Sequence, residues 1–236
     1  MSQDLPSLEQ LMEAGAHFGH IRKKWHPKMA AYIFTVRNNA HIINLEKTLQ
    51  CLKKAQEYLQ KLLADNKTIL FVGTKRQAKE AIKNTARALK MPYADYRWLG
   101  GTLTNFETVR KALGKFEDLE EQKQDKENFK KLTKKEQKNF NLQLEKMERT
   151  LGGIREMKSL PDVLFVADTV EEKVAVLEAN KLDIPVVAIV DSDSDPSKID
   201  YPIPANDNSK MAIQLILDSI LAALKEKPKK EKVKAK

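Results

Sequence analysis

The sequence predicts an α/β domain: a parallel sheet with helices packed on it, interrupted by a long helical insertion. Three observations carry that prediction. Continuous apolar runs recur at Thr68–Val72, Asp162–Val166 and Ile184–Val190, and such runs suit strands buried on both faces of a parallel sheet. Amphipathic helical stretches alternate with them, which implies right-handed crossovers. Finally, the pairs Gly100-Gly101 and Gly152-Gly153, four of the eight glycines, bracket a charged stretch with no strand signal. Glycine tolerates backbone angles closed to other residues, so paired glycines suit a chain leaving and re-entering a folded body.

The 236 residues suffice for one core plus an elaboration. A net charge of +9 and a pI near 9.4 favour a polyanionic partner, nucleic acid before an acidic membrane surface. The lone Cys51 excludes an internal disulfide and a Cys-rich zinc site. It lies in an amphipathic stretch and reads as a packing residue. No apolar run approaches a membrane span. The start, MSQDLPSLEQ, has neither the basic and apolar regions of a secretory signal nor the arginines of a transit peptide. The expectation is a cytoplasmic protein, or one made inside an organelle.

Ser7 to Ala14 reads as a short helix, with Ser7 and Gln10 at capping-box spacing, Leu8, Leu11 and Met12 on one face, and Gly15 as its stop. Residues 14–45 contain no Asp or Glu, yet hold all four histidines (His17, His20, His26, His41) and the cations Arg22, Lys23, Lys24, Lys28 and Arg37. Phe18, Trp25, Tyr32 and Phe34 are interleaved. Cations neutralise phosphates, and flat rings stack on unpaired bases, so the segment is a candidate RNA surface. The alternative is a loop whose rings dock into the core. A metal pair, His17 with His20, is also open. Tyr32–Val36 and His41–Asn44 read as a hairpin about Arg37-Asn38-Asn39. Asn44 caps a helix from Leu45 to Ala64, with Leu45, Leu49, Leu52, Leu59 and Leu62 on one stripe.

After the first apolar run, Gly73-Thr74-Lys75-Arg76 is expected to open a helix to about Lys90. Free amides at such a helix start can hold an RNA phosphate, with Lys75 and Arg76 beside it; a plain tight turn is the alternative. The spacing matches neither dinucleotide nor mononucleotide fingerprints. Tyr93–Arg97 is a weak strand. In the insertion, Phe106, Val109, Leu113 and Phe116, then Phe140, Leu144, Met147, Leu151 and Ile154, step by 3 and 4. These are heptad seams long enough for an antiparallel helical hairpin. Thr133 and Glu136 have capping-box spacing for the return helix. Asn105 to Arg155 carries 13 Lys plus Arg against 10 Asp plus Glu, a mixed surface and not a basic blade.

Val170 to Leu182 reads as a helix with Val174, Leu177 and Leu182 inside. Asp191, Asp193 and Asp195 alternate at the carboxyl end of the third apolar run, where open α/β sheets take ligands. They are candidate hard-cation ligands, without the glycine and terminal Glu of a calcium loop. Tyr201-Pro202-Ile203-Pro204 must be extended. Asn208 or Ser209 caps a last helix through Ile213, Ile216, Leu217, Ile220 and Leu224. The lysine-rich tail from Lys227 is expected to be disordered. No Gly-x-Ser-x-Gly, catalytic Cys motif or acid/base pair is evident, and the histidines lie in a basic segment and not beside an acid. No cofactor, no catalytic residue and no small-molecule substrate is expected. The surviving alternative is a nucleotide- or phosphate-binding enzyme using the Gly73 turn and the Asp191 loop.

With these residues in place, the chain resembles the bacterial small-subunit ribosomal protein S-two family over residues 7–224. The resemblance lies in Glu13–His20 with Trp25–Met29, Ile69–Lys75, Arg97–Asn105, Leu151–Ile154, Leu160–Asp162 and Asp200–Pro204. It departs from the family pattern at Val166–Val170, Asp191–Asp195 and Pro204–Asp207. The resemblance implies a flavodoxin-like parallel sheet flanked by helices, with an inserted antiparallel coiled-coil hairpin. The divisions expected are 1–104, 105–155 for the hairpin, 156–226 and 227–236. It further implies a structural protein that binds small-subunit rRNA between head and body and helps seat ribosomal protein S-one among its neighbours, away from membranes. The residues expected to touch RNA are Arg22, Lys23, Lys24, Trp25, His26, Lys28, Arg37 and Asn38. Lys75 and Arg76 join them, as do Arg97, Trp98, Thr104 and Asn105 at the first glycine pair.

Overall fold

The computed structural model describes residues 5–125, 129 and 132–225. The chain begins with α1 (Leu8–Glu13), whose capping box between Ser7 and Gln10 is formed. Only Leu11 of its apolar face is buried, while Leu8 and Met12 stay exposed, because one short turn offers the core a single position. Three strands follow: β1 (Phe18–Ile21), β2 (Ile33–Arg37) and β3 (Ala40–Ile43), antiparallel in the order β1-β3-β2. The expected hairpin is β2–β3, turned by Asn38 and Asn39, both at positive φ (49° and 61°). Two left-handed residues give the twist that matches paired strands, and Asn tolerates that region.

Helix α2 (Leu45–Ala64) has the predicted bounds, with Asn44 accepting from the amides of Glu46 and Lys47. Strand β4 (Ile69–Val72) is wholly buried. The helix expected to open at Gly73 begins six residues later, as α3 (Lys79–Leu89). Residues 75–78 first turn on themselves, with the amides of Ala78 and Lys79 both bonded to the Lys75 carbonyl. Strand β5 is short (Tyr93–Ala94).

The insertion supplies α4 (Phe106–Gln124) and α5 (Lys134–Leu151), which contact each other. On α4, Val109, Leu113, Phe116 and Leu119 are buried. The Arg155 guanidinium covers the Phe116 ring and pairs with Glu120. On α5 only Leu151 is fully buried, and the capping box of Thr133 with Glu136 is formed. Strands β6 (Val163–Val166) and β7 (Val186–Val190) flank α6 (Lys173–Lys181) and are buried at every position. In α6 the expected inner residues Val174, Leu177 and Leu182 are outside. The helix presses Ala175, Val176, Glu178 and Ala179 inward instead, because the small alanines permit close approach to the sheet. Strand β8 (Tyr201–Pro204) and α7 (Lys210–Lys225) complete the fold, with Ser209 accepting from the Ala212 amide. The lysine tail lies outside the described residues.

Strands β4 to β8 make one parallel sheet in the order β5-β4-β6-β7-β8, with Phe71 opposite Phe165. Numbered within the sheet, this is 2-1-3-4-5, the flavodoxin-type order. It reverses between β4 and β6, so the crevice for ligands lies at the carboxyl ends of these strands. One face packs Leu52, Leu59, Ile82, Ile213 and Ile216 against the sheet. The other packs Val109, Leu113, Leu151, Ile154 and Val176, so the roots of α4 and α5 belong to the core.

Candidate nucleic-acid interface

The three-stranded sheet of residues 18–43 sits over the carboxyl ends of β7 and β8. The amides of His20 and His26 donate to Ser192, at 2.7 Å to its hydroxyl and 2.8 Å to its carbonyl. The Asn206 amide donates to the Ala16 carbonyl at 3.0 Å. A Cβ on Gly19 would stand 2.8 Å from the Ser192 hydroxyl, so glycine is needed for this approach.

Docking leaves one surface outward. Arg22, Lys23 and Lys24 form a single exposed 3-10 turn with no acid against them among the described residues. Arg37 and Asn38 are exposed at the hairpin turn. Phe34 is 72% exposed, with Phe18, Ile21 and Val36 also outward. Trp25 is half-exposed and stacks on His41, whose ring is buried with neither nitrogen partnered. His26 is half-buried, and its Nδ1 accepts from the Lys28 amide. Lys28 is exposed but held by Asp195 at 3.3 Å and Ser197 at 2.6 Å.

The inner side of this sheet closes the crevice. His20 lies between Asp191 (3.1 Å from Nδ1) and Asp193 (3.6 Å from Nε2), so a histidine does lie beside acids, contrary to the local sequence pattern. The hydrogen bond to Asp191 outweighs burial and lifts the His20 pKa to about 9, so the ring is cationic at neutral pH. Beside it Lys75 bonds Asp168 at 2.8 Å and Asp207 at 2.9 Å. Burial, and the charges of Asp168 and Asp191, push Asp207 up to about 7 against the pull of Lys75. Lys75 is therefore held by two carboxylates of its own chain. The Thr74 amide is taken by Glu172 at 2.6 Å, and α3 starts elsewhere, so the Gly73 turn offers no helix-start cradle. Arg76 is exposed.

His20, Asp191 and Asp207 each offer a ligand atom within 4.8 Å of the others. A cation there would have to replace the His20 proton. Of the expected acidic triplet only Asp191 belongs to this cluster. Asp193 flanks His20, and Asp195 turns away to Ser197 and Lys28, whose bonds hold its carboxyl down near 2. His17 does not join His20 in the cluster. Asp207 carried no local signal: its role arises from a strand order that brings residues 20, 75, 168, 191 and 207 together.

The junction at the first glycine pair is organised by Glu178, also missed at the sequence level. Its carboxylate accepts from Trp98 Nε1 (3.1 Å), the amides of Gly101 (2.8 Å), Leu103 (3.0 Å) and Thr104 (3.1 Å), and the Thr104 hydroxyl. Trp98, expected to touch RNA, is thus buried and anchored on Glu178. Thr104 is exposed with its polar groups already bonded, and Arg97 and Asn105 are exposed.

The fold and crevice define a class: a flavodoxin-type domain whose ligand crevice is filled by its own ion pairs. A family model described as ribosomal protein S2 matches residues 11–227. The chain is also 47% identical over 214 residues to the small ribosomal subunit protein uS2 of Marinobacter nauticus, covering 91% of this chain and 85% of that relative. The chain belongs to the ribosomal protein S2 family. It is a structural constituent of the small ribosomal subunit, ribosome-bound in the cytoplasm, and not an enzyme.

Proposed function

We propose that this chain binds small-subunit rRNA through the outer surface of residues 18–43 and, lying between head and body, helps seat ribosomal protein S-one. One observation carries the RNA part: Arg22, Lys23, Lys24 and Arg37 are all exposed, as are Trp25 and Phe34, in a segment that holds no carboxylate. Cations there neutralise phosphates, and the rings offer faces to unpaired bases. Arg76, Arg97 and Asn105 extend the contact. The helices α4 and α5 act as a coiled-coil hairpin arm over residues 105–155, a reading supported by the contact between the two helices. The seating of S-one rests on family membership.

Filter binding of rRNA at several salt concentrations tests the reading. Replacing Arg22, Lys23 and Lys24 together by alanine should lower the slope of log affinity against log salt by about 2–3, near 0.7–0.9 per phosphate contact. Lys28→Ala should change it less, because Asp195 already holds that charge. An unchanged slope in the triple variant rejects the surface.

A further inference from the structure

Trp98 turns inward to Glu178, and the aromatic left outward at this junction is Tyr96, 48% exposed. One side of its ring is covered by the Lys79 ammonium, 5.2 Å from the centroid. Tyr96 also lines a groove of about 160 Å³ with Leu142, Glu145, Lys146 and Arg149 of α5. Leu142, 54% exposed, gives the groove an apolar patch. The cations outnumber the acid: Arg149 neutralises Glu145 at 2.6 Å, while Lys146 and Lys79 have no acid against them among the described residues. Nearby Asp95 is taken by Lys83.

We infer that this cleft, between the sheet body and α5, receives one unpaired RNA nucleotide: its base against Tyr96 and Leu142, its phosphate near Lys146 and Lys79. A flat ring beside an apolar patch accepts any base by stacking, and flanking ammonium groups supply the phosphate partner. A small apolar ligand would leave those cations without use, whereas a nucleotide engages ring, methyls and charge together. The inference rests on the RNA-binding reading and adds a second contact, distant in sequence from residues 18–43.

The test uses the full chain and small subunits lacking it. Tyr96→Ala should weaken reassociation about 5- to 100-fold, the usual loss of one stacked base, without altering the salt slope. Tyr96→Phe should stay within about twofold of wild type, since the ring face is kept. Lys146→Ala should instead lower the salt slope by about 0.7–0.9. Ultraviolet crosslinking and mass spectrometry should find a nucleotide on the Tyr96 peptide. Wild-type affinity in Tyr96→Ala, or a crosslink from Tyr96 to protein, overturns the cleft. If only the Arg22, Lys23 and Lys24 triple variant weakens binding, the RNA reading stands and the cleft falls. If no variant differs from wild type, both fall.

Discussion

Glu178 shows how one carboxylate sets a loop. Burial pushes its pKa up, but the donors from Thr104, Gly101, Trp98 and Leu103 prevail and hold it below 4.5. Glu178→Gln keeps the shape yet, in either orientation, turns an NH2 group toward at least two N–H donors. The expected loss is about 2–3 kcal/mol, read as a fall in thermal midpoint. The sign with pH follows from the depressed pKa: the contribution is full above the unfolded value of 4.5 and is lost as pH falls through the folded value. The midpoints of wild type and Glu178→Gln should therefore converge as pH drops from 6 toward 3. A gap that stays constant would mean that Glu178 is not ionised in the fold. None of this was legible locally, because Trp98 and Glu178 lie 80 positions apart.

At the scale of elements, the two glycine pairs look alike in sequence and differ in the fold. A Cβ on Gly153 would meet the Tyr93 carbonyl at 2.1 Å, so the turn after α5 and strand β5 touch backbone to backbone. Gly100 has nothing within 4 Å, and Gly101 is at φ +89°. Gly153→Ala should cost more than about 3 kcal/mol, Gly101→Ala about 1–2, and Gly100→Ala close to zero. Chemical denaturation of the three variants ranks them, and an equal cost at 100 and 153 would refute the packing argument. Elements whose signals are local were readable: α2 by its Asn44 cap and apolar stripe, β2–β3 by the Asn38-Asn39 turn, α5 by Thr133 and Glu136. Strand β1 was not, because Phe18-Gly19-His20-Ile21 has no strand alternation and its pairing with β3 lies twenty residues on. The phase of α6 was misread because the inward face is Ala175, Val176, Glu178 and Ala179, with Val174 and Leu177 left outside.

At the scale of the molecule, His20 joins two sheets: it rides on the three-stranded one and bonds across the crevice to Asp191, at the end of β7 in the parallel one. Lys75 braces the same crevice from within, between Asp168 and Asp207. The two should fail differently. Lys75→Met leaves two buried acids uncompensated inside the core and should lower global stability by about 3–5 kcal/mol. His20→Ala removes the cation at the seam, leaving Asp191 and Asp193 facing each other, while the apolar layers on both faces of the sheet stay intact. The smaller sheet should then open locally. Hydrogen exchange resolves the difference. In His20→Ala the amides of His26 and Asn206, bonded to Ser192 and Ala16, should exchange faster, while those of β4 and β6 keep their protection. If the outer surface binds rRNA as proposed, binding should weaken too although none of the residues assigned to RNA has changed, since that surface is presented only when docked. Uniformly faster exchange would make His20 an ordinary core residue; unchanged exchange at His26 and Asn206 would place the docking energy elsewhere.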